Sequence, residues 1–382
     1  MKQNRERLSH RKRVQLALNH QEPDCVPIDF GEGRACTTFP GPYSEAANIL
    51  GVNIGPIHVS RRGLVDEFDE NLLKALDIDF RRLKLRYPAQ SKSFDSSRTN
   101  IDEWGIPWEY TGTFWESRQA PLKNANIDDL ENYPWPEPIG ADYVRGLREE
   151  AEHKYQHTDY ALVACLPQHC YGIMTTAYLM RGLDIFMMDL IENREFIDRL
   201  FDKILSVHQQ VYTQFLETVG EFVEVVQTGD DMGTQNGPFF SPEMYREIVQ
   251  PKQKALLQHI KNFTQAKIFF HSCGSVYKLL PHMIDAGIDI LNPVQHTAKD
   301  MELVRLKHEF GDQISFQGGV DQQQILTFVT SDDVKLEVAH CLESLSPGGG
   351  YVLTAVHNIA PEVSGQNLVD MYKFARNLGM YH

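Results

Sequence analysis

The sequence predicts an α/β fold, a (β/α)8 TIM barrel with an N-terminal helix and a Trp-rich excursion after the second strand. Three observations carry this. Short apolar runs alternate with long amphipathic segments, which implies βαβ crossovers and a parallel sheet. Eight such runs can be counted, the number that closes a barrel. Neither GxGxxG nor GxxxxGK[ST] follows any run, so the phosphate-binding turn of an open doubly wound sheet is missing.

In chain order the runs are CVPIDF (25–30), DFRRLKL (79–85), ALVACL (161–166), VEVVQT (223–228), KIFFHS (267–272), IDILN (288–292), ISFQG (314–318) and YVLTAV (351–356). The second is the least regular, because its alternating charges suit a barrel interior poorly. Helical patterns cover 243–262, 276–287, 298–311 and 332–345 between the later runs. PGGG (347–350) precedes a strand instead of following one, so it is a turn and not a phosphate cradle. Residues 86 to about 140 break the alternation and hold all four tryptophans: Trp104, Trp108, Trp115 and Trp135. They read as an excursion with its own hairpin, EWGIPWEYTGTFWESRQ, inserted in a single domain spanning 1–382. Its aromatics build either a satellite core or an apolar wall over the barrel mouth, with Trp104 and Trp108 as substrate contacts in the second case.

Composition bounds the function. With 42% hydrophobic and 23% charged residues over 382 positions, the chain is neither disordered nor fibrous. Its net charge of −15 repels phosphate backbones and anionic lipid, which argues against nucleic acid or membrane partners. No run approaches the roughly 18 apolar residues of a membrane span. The basic start MKQNRERLSHRKR lacks an apolar stretch behind it, so no secretory signal is expected and the cytoplasm is the expected location. The six cysteines, Cys25, Cys36, Cys165, Cys170, Cys273 and Cys341, form no CxxC pair and suggest no disulfide framework.

FFHSCGS (269–275) is the sharpest chemical signal. His271 and Cys273 are two apart and project to one side where their strand ends, at the carboxyl end where such barrels carry their sites. The plain alternative is a buried cysteine beside a core histidine. YVLTAVHNIAP (351–361) adds His357 just past the last strand. Three donors with a fourth position open is the pattern of a catalytic zinc. In TGDDMGTQNGPFFSPEMYREI (228–248), Asp230 and Asp231 open a loop at the same mouth, and Ser241, Pro242 and Glu243 start the next helix. The two acids serve either as solvated loop residues or as a second-shell and proton-transfer pair. Gln227, Asn292, Gln295 and Asp321 also fall at strand ends as candidate substrate contacts.

These stretches resemble the uroporphyrinogen decarboxylase superfamily over essentially the whole chain. The resemblance rests on RKRVQLALNHQEPDCVPIDFG (11–31), GDDMGTQNGPFFSPEMYREIVQPKQKALLQHI (229–260), FFHSCGSVYKLLPHMIDAGIDILNPVQ (269–295), SFQGGVD (315–321) and PGGGYVLTAVHNI (347–359). It implies either a decarboxylase working without metal or a zinc methyltransferase that exchanges methyl groups with a corrinoid (cobalamin) protein. The arginine-rich RQAGR-like motif of the decarboxylases is absent; FGEGRAC offers Arg34 alone beside Glu32. His271 and Cys273 match the zinc branch, whereas His357 stands where that branch typically has a cysteine. The resemblance therefore implies zinc, a small methyl donor, a corrinoid partner and room for a homo-oligomer. Exchanging one thiolate for neutral imidazole makes the ion more electrophilic, which suits a donor such as a methoxylated aromatic. The alternatives are a uroporphyrinogen decarboxylase and a non-catalytic scaffold relative.

Overall fold

A computed structural model describes residues 7–33, 35–60, 63–86, 99–111, 115–165, 170, 172–328 and 330–381. Arg34, in FGEGRAC after the first apolar run, lies outside the described residues, as do 87–98 and 112–114 of the excursion.

The strands are β1 (Phe80–Leu83), β2 (Thr99–Ile101), β3 (Pro107–Tyr110), β4 (Trp115–Ser117), β5 (Ala161–Ala164), β6 (Val225–Gly229), β7 (Gly233–Thr234), β8 (Gly237–Pro238), β9 (Lys267–His271), β10 (Ile290–Asn292), β11 (Ser315–Val320) and β12 (Tyr351–Ala355). Seven of them pair in parallel in the order β1-β5-β6-β9-β10-β11-β12, a curled TIM-like sheet. Helices cross between consecutive strands, among them Arg194–Val219 before β6 and Ser331–Leu345 before β12.

The first expected strand is not one. Residues 25–30 make a single parallel bridge, Ile28 to Leu353, on the β12 side. Pro27 has no N–H to give to a ladder, although its carbonyl accepts from Leu353 N at 2.9 Å. On the β1 side, Asp79 N donates to Ile28 O at 3.2 Å, but Ile28 N is captured by the Asp79 carboxylate at 2.8 Å. A side chain thus replaces the backbone partner, and the segment joins the two edges of the sheet without becoming a strand.

Alternate strand residues fill the inside of the curl: Phe80, Val163, Val225, Phe269, Ile290 and Val352 pack with Val14 and Leu18 of the N-terminal helix His10–Ala17 and its C-cap. Below them a buried charge network ties that helix to the fold. Arg13 binds Asp24 at 2.7 Å and Asp79 at 2.6 Å, and Arg376 of the last helix, Gly365–Leu378, reaches Asp79 at 2.7 Å.

The excursion is a three-stranded antiparallel sheet, β2-β3-β4. Asp102 organises its first turn by accepting from Trp104 N and Ile106 N, both at 2.9 Å, and from Trp108 Nε1 at 2.8 Å. The expected helix at 243–262 carries a π-helical turn at Tyr245–Val249 before continuing as Gln250–Lys261. Pro251 explains it: lacking an N–H, it leaves Glu247 O without its usual helical donor, and Arg194 Nη2 supplies one at 2.9 Å. Among the described residues, no helix is long and apolar enough to cross a membrane.

Candidate metal centre

Parallel register brings the site together. Gly229 of β6 pairs with His271 of β9, and His271 pairs with Asn292 of β10, so three carboxyl ends converge at one level. His271 is the last residue of its strand, and Cys273 sits two residues on. The turn behind Cys273 needs a glycine: Gly274 has φ +79°, and a Cβ there would come within 2.7 Å of Gly233 C. That close approach locks the turn after β9 against the loop after β6.

His357 follows β12 with φ 70°, a left-handed conformation uncommon for a residue with a Cβ. Strain of this kind persists where surrounding structure imposes it, and here it accompanies a ring placed beside His271. The two ring centroids are 5.5 Å apart. One donor atom from each of His271, Cys273 and His357 lies within 4.8 Å of the other two. Cys273 Sγ is 3.3 Å from His271 Nε2, close to the about 3.4–3.6 Å that separates sulfur and nitrogen donors around a tetrahedral zinc. His271 is buried, and Cys273 and His357 are half-buried. One thiol and two imidazoles on a partly open site are a chemically suitable donor set for zinc.

The neighbouring aspartates divide. Asp231 Oδ1 lies 3.5 Å from His271 Nε2 and accepts from Cys273 N at 3.3 Å, and its own N–H donates to Thr175 Oγ1 at 3.1 Å. Asp230 turns into the protein. It accepts from Met174 N at 3.0 Å and Thr175 N at 2.7 Å, at the start of the helix Ile173–Arg181, and from Gln253 Nε2 at 2.9 Å. Burial raises its carboxyl pKa, and these donors oppose the rise without cancelling it. Tyr245 of the π-turn completes the chain by donating to Gln253 Oε1 at 2.7 Å.

The remaining candidates are placed as follows. Gln295 Oε1 accepts from Gly274 N at 2.9 Å and so braces the Cys273 turn. Asn292 faces His271. Gln227 is buried inside the sheet. Asp321 accepts from Gln323 N at 2.7 Å and shapes the turn after β11. Trp104 is fully buried against Trp135 and His208, and Trp108 is engaged by Asp102. The structure thus gathers His271, Cys273, His357, Asp231, Asn292 and Gln295, while Asp230, Asp321, Trp104 and Trp108 serve local structure. Thr175, Gln253 and Gln317 were not singled out from sequence. Gln317 had a visible signal, a polar residue in the middle of the run ISFQG.

A parallel curled sheet with its polar cluster at the carboxyl ends defines a TIM-like enzyme scaffold. The chain belongs to the uroporphyrinogen decarboxylase (URO-D) family, which it matches over residues 141–378. No curated protein matches it. Among solved structures it is similar to a methyltransferase from Methanosarcina mazei at 17% identity, over 97% of this chain and 99% of that one, with TM-score 0.65. A B12-independent methionine synthase from Shewanella sp. W3-18-1 follows at 13% identity, over 75% and 74% of the chains, with TM-score 0.36. An endo-glycoceramidase II from Rhodococcus sp. aligns at 10% identity, over 92% and 80%, with TM-score 0.44. The first shows a shared fold; the other two are too distant to bear on the site.

Proposed function

We propose that the chain is a zinc-dependent methyltransferase that moves a methyl group between a small methyl donor and a corrinoid protein. The observation that carries this reading is the His271–Cys273–His357 group, whose donor atoms lie within 4.8 Å of one another. These three side chains would hold the ion. Bound there, zinc supplies a Lewis acid that polarises the heteroatom bearing the methyl group.

The chain's own residues set the character of the site. Two imidazoles and one thiol leave more positive charge on an ion than a thiolate-rich set does, which favours a donor whose heteroatom must leave. A methoxylated aromatic meets that description. Asp231 stands beside His271 Nε2 and holds the Cys273 backbone in place. The decarboxylase alternative lacks its arginine-rich clamp for a many-carboxylate substrate, since FGEGRAC stands after the first run.

The test mixes zinc-loaded protein, a reduced corrinoid protein and a panel of methoxyaromatic, methylamine and methylthiol donors. Formation of methylcobalamin, followed by absorbance, is expected with at least one donor. No methylation across the whole panel would overturn the reading.

A further inference from the structure

We propose that Asn292 is a positioning residue that locks His271 in the Nδ1–H tautomer, leaving Nε2 as the metal-facing nitrogen. The metal half of this inference rests on the zinc reading above, whereas the tautomer half stands without it.

The argument starts from a group with one possible role. Gln317 O is a backbone carbonyl and can only accept, and Asn292 Nδ2 lies 3.2 Å from it. The amide nitrogen of Asn292 must therefore face Gln317, which turns Oδ1 towards His271. Asn292 Oδ1 is 2.7 Å from His271 Nδ1, and an amide oxygen can only accept, so Nδ1 carries the proton. The neutral ring then has its lone pair on Nε2, which faces Cys273 Sγ at 3.3 Å. Asn292 is 0% exposed, and each of its polar atoms already has a protein partner. Its place is behind the ring, not against substrate.

The acceptor is itself held firmly. Gly318, next to Gln317, has φ +128°, and a Cβ there would lie 2.9 Å from Val294 N, so glycine lets β11 run close under the turn after Asn292. On the other side the Gln317 side chain donates to Asp29 Oδ2 at 2.6 Å. Asp29 is gripped in turn by Arg82 Nη2 at 2.7 and 2.8 Å. Ring, amide, carbonyl and ion pair thus form one continuous polar path across the interior.

The choice of an amide has a chemical consequence. A carboxylate in this position would push electron density through the imidazole and make it a stronger donor. A neutral amide fixes the ring's orientation without doing so, which preserves an electrophilic ion and agrees with a donor whose heteroatom must leave.

The experiment uses the metal-free full chain with 15N-labelled histidine at about pH 8, above the ordinary imidazole pKa of about 6.5. Long-range 1H–15N correlations report the tautomer, and His271→Gln identifies the ring by the signal it removes. The wild type is expected to show the Nδ1–H pattern, Asn292→Ala to shift towards Nε2–H, and Asn292→Asp to retain Nδ1–H. Zinc affinity is expected to fall about 10- to 100-fold in Asn292→Ala and to recover in Asn292→Asp. An Nε2–H pattern in the wild type, or an unchanged tautomer in Asn292→Ala, overturns the lock. A wild type that shows Nδ1–H but takes up no zinc overturns the metal reading and upholds the lock. Should Asn292→Ala fail to fold, the wild-type and Asn292→Asp spectra decide alone.

Discussion

Asp231 Oδ1 lies 3.5 Å from His271 Nε2, while the adjacent Asp230 points away into three hydrogen bonds. Two carboxylates side by side in sequence therefore have opposite duties, and substitution separates them. Asp231→Asn is expected to reduce methyl transfer with little change in melting temperature, since partly exposed loop acids contribute little to stability. Asp230→Ala is expected to cost about 1–3 kcal/mol, because it leaves buried donors unsatisfied. Thermal unfolding beside activity measurements checks both.

Metal content tests the donor set directly. The purified protein is expected to hold about one zinc per chain, and Cys273→Ser and His357→Ala are each expected to lose most of it. Metal analysis after gel filtration gives the answer. Full zinc in both variants would remove these residues from the site.

Acid should loosen the charge network under the sheet. Burial alone would raise the pKa of Asp79, but Arg376, the His10 hydrogen bond and Arg13 outweigh it and hold the carboxyl well below the usual range. Asp24 is likewise lowered, with burial outweighed by the Arg13 hydrogen bond and charge. A depressed folded pKa means the stabilisation is complete above the unfolded value of about 3.9 and is lost as pH falls below it. Melting temperature measured from neutral pH down to about 3 should therefore drop steeply at the acid end. Asp79→Ala should flatten that drop and cost about 3–5 kcal/mol at neutral pH, as removal of one partner from a buried ion pair does.

Incubation with uroporphyrinogen should give no coproporphyrinogen at an enzyme-like rate. The cationic clamp that would hold its carboxylates is absent from FGEGRAC. Chromatography of the products decides this, and efficient turnover would favour the decarboxylase.

Much of this was legible because it depends on local pattern. The later apolar runs became parallel strands, and period-two geometry put His271 and Cys273 on one side. What failed depended on distant partners. Nothing in CVPIDF announces that the Asp79 side chain will take the Ile28 N–H. Asp230 and Asp231 could not be told apart without the helix start at Met174 and Thr175. The partnership of Asn292 with His271 is not visible in sequence, because it exists only through the register of β9 and β10. The aromatic excursion admits two readings from sequence, a satellite core or a pocket wall; Trp104, buried against Trp135 and His208, instead joins the main hydrophobic core.

The joint at residues 25–30 has a mechanical meaning. Elsewhere around the sheet, neighbours hold one another by a backbone ladder, but here a few backbone hydrogen bonds share the joint with a buckle whose pin is the Asp79 carboxylate. That one carboxylate takes the Ile28 N–H, Arg13 from the first helix and Arg376 from the last. Pulling on either end of the described chain therefore loads the same fastening. The sheet should part at this seam before any helix unwinds, with amide exchange at Ile28 and Asp29 running ahead of that in β9 and β11.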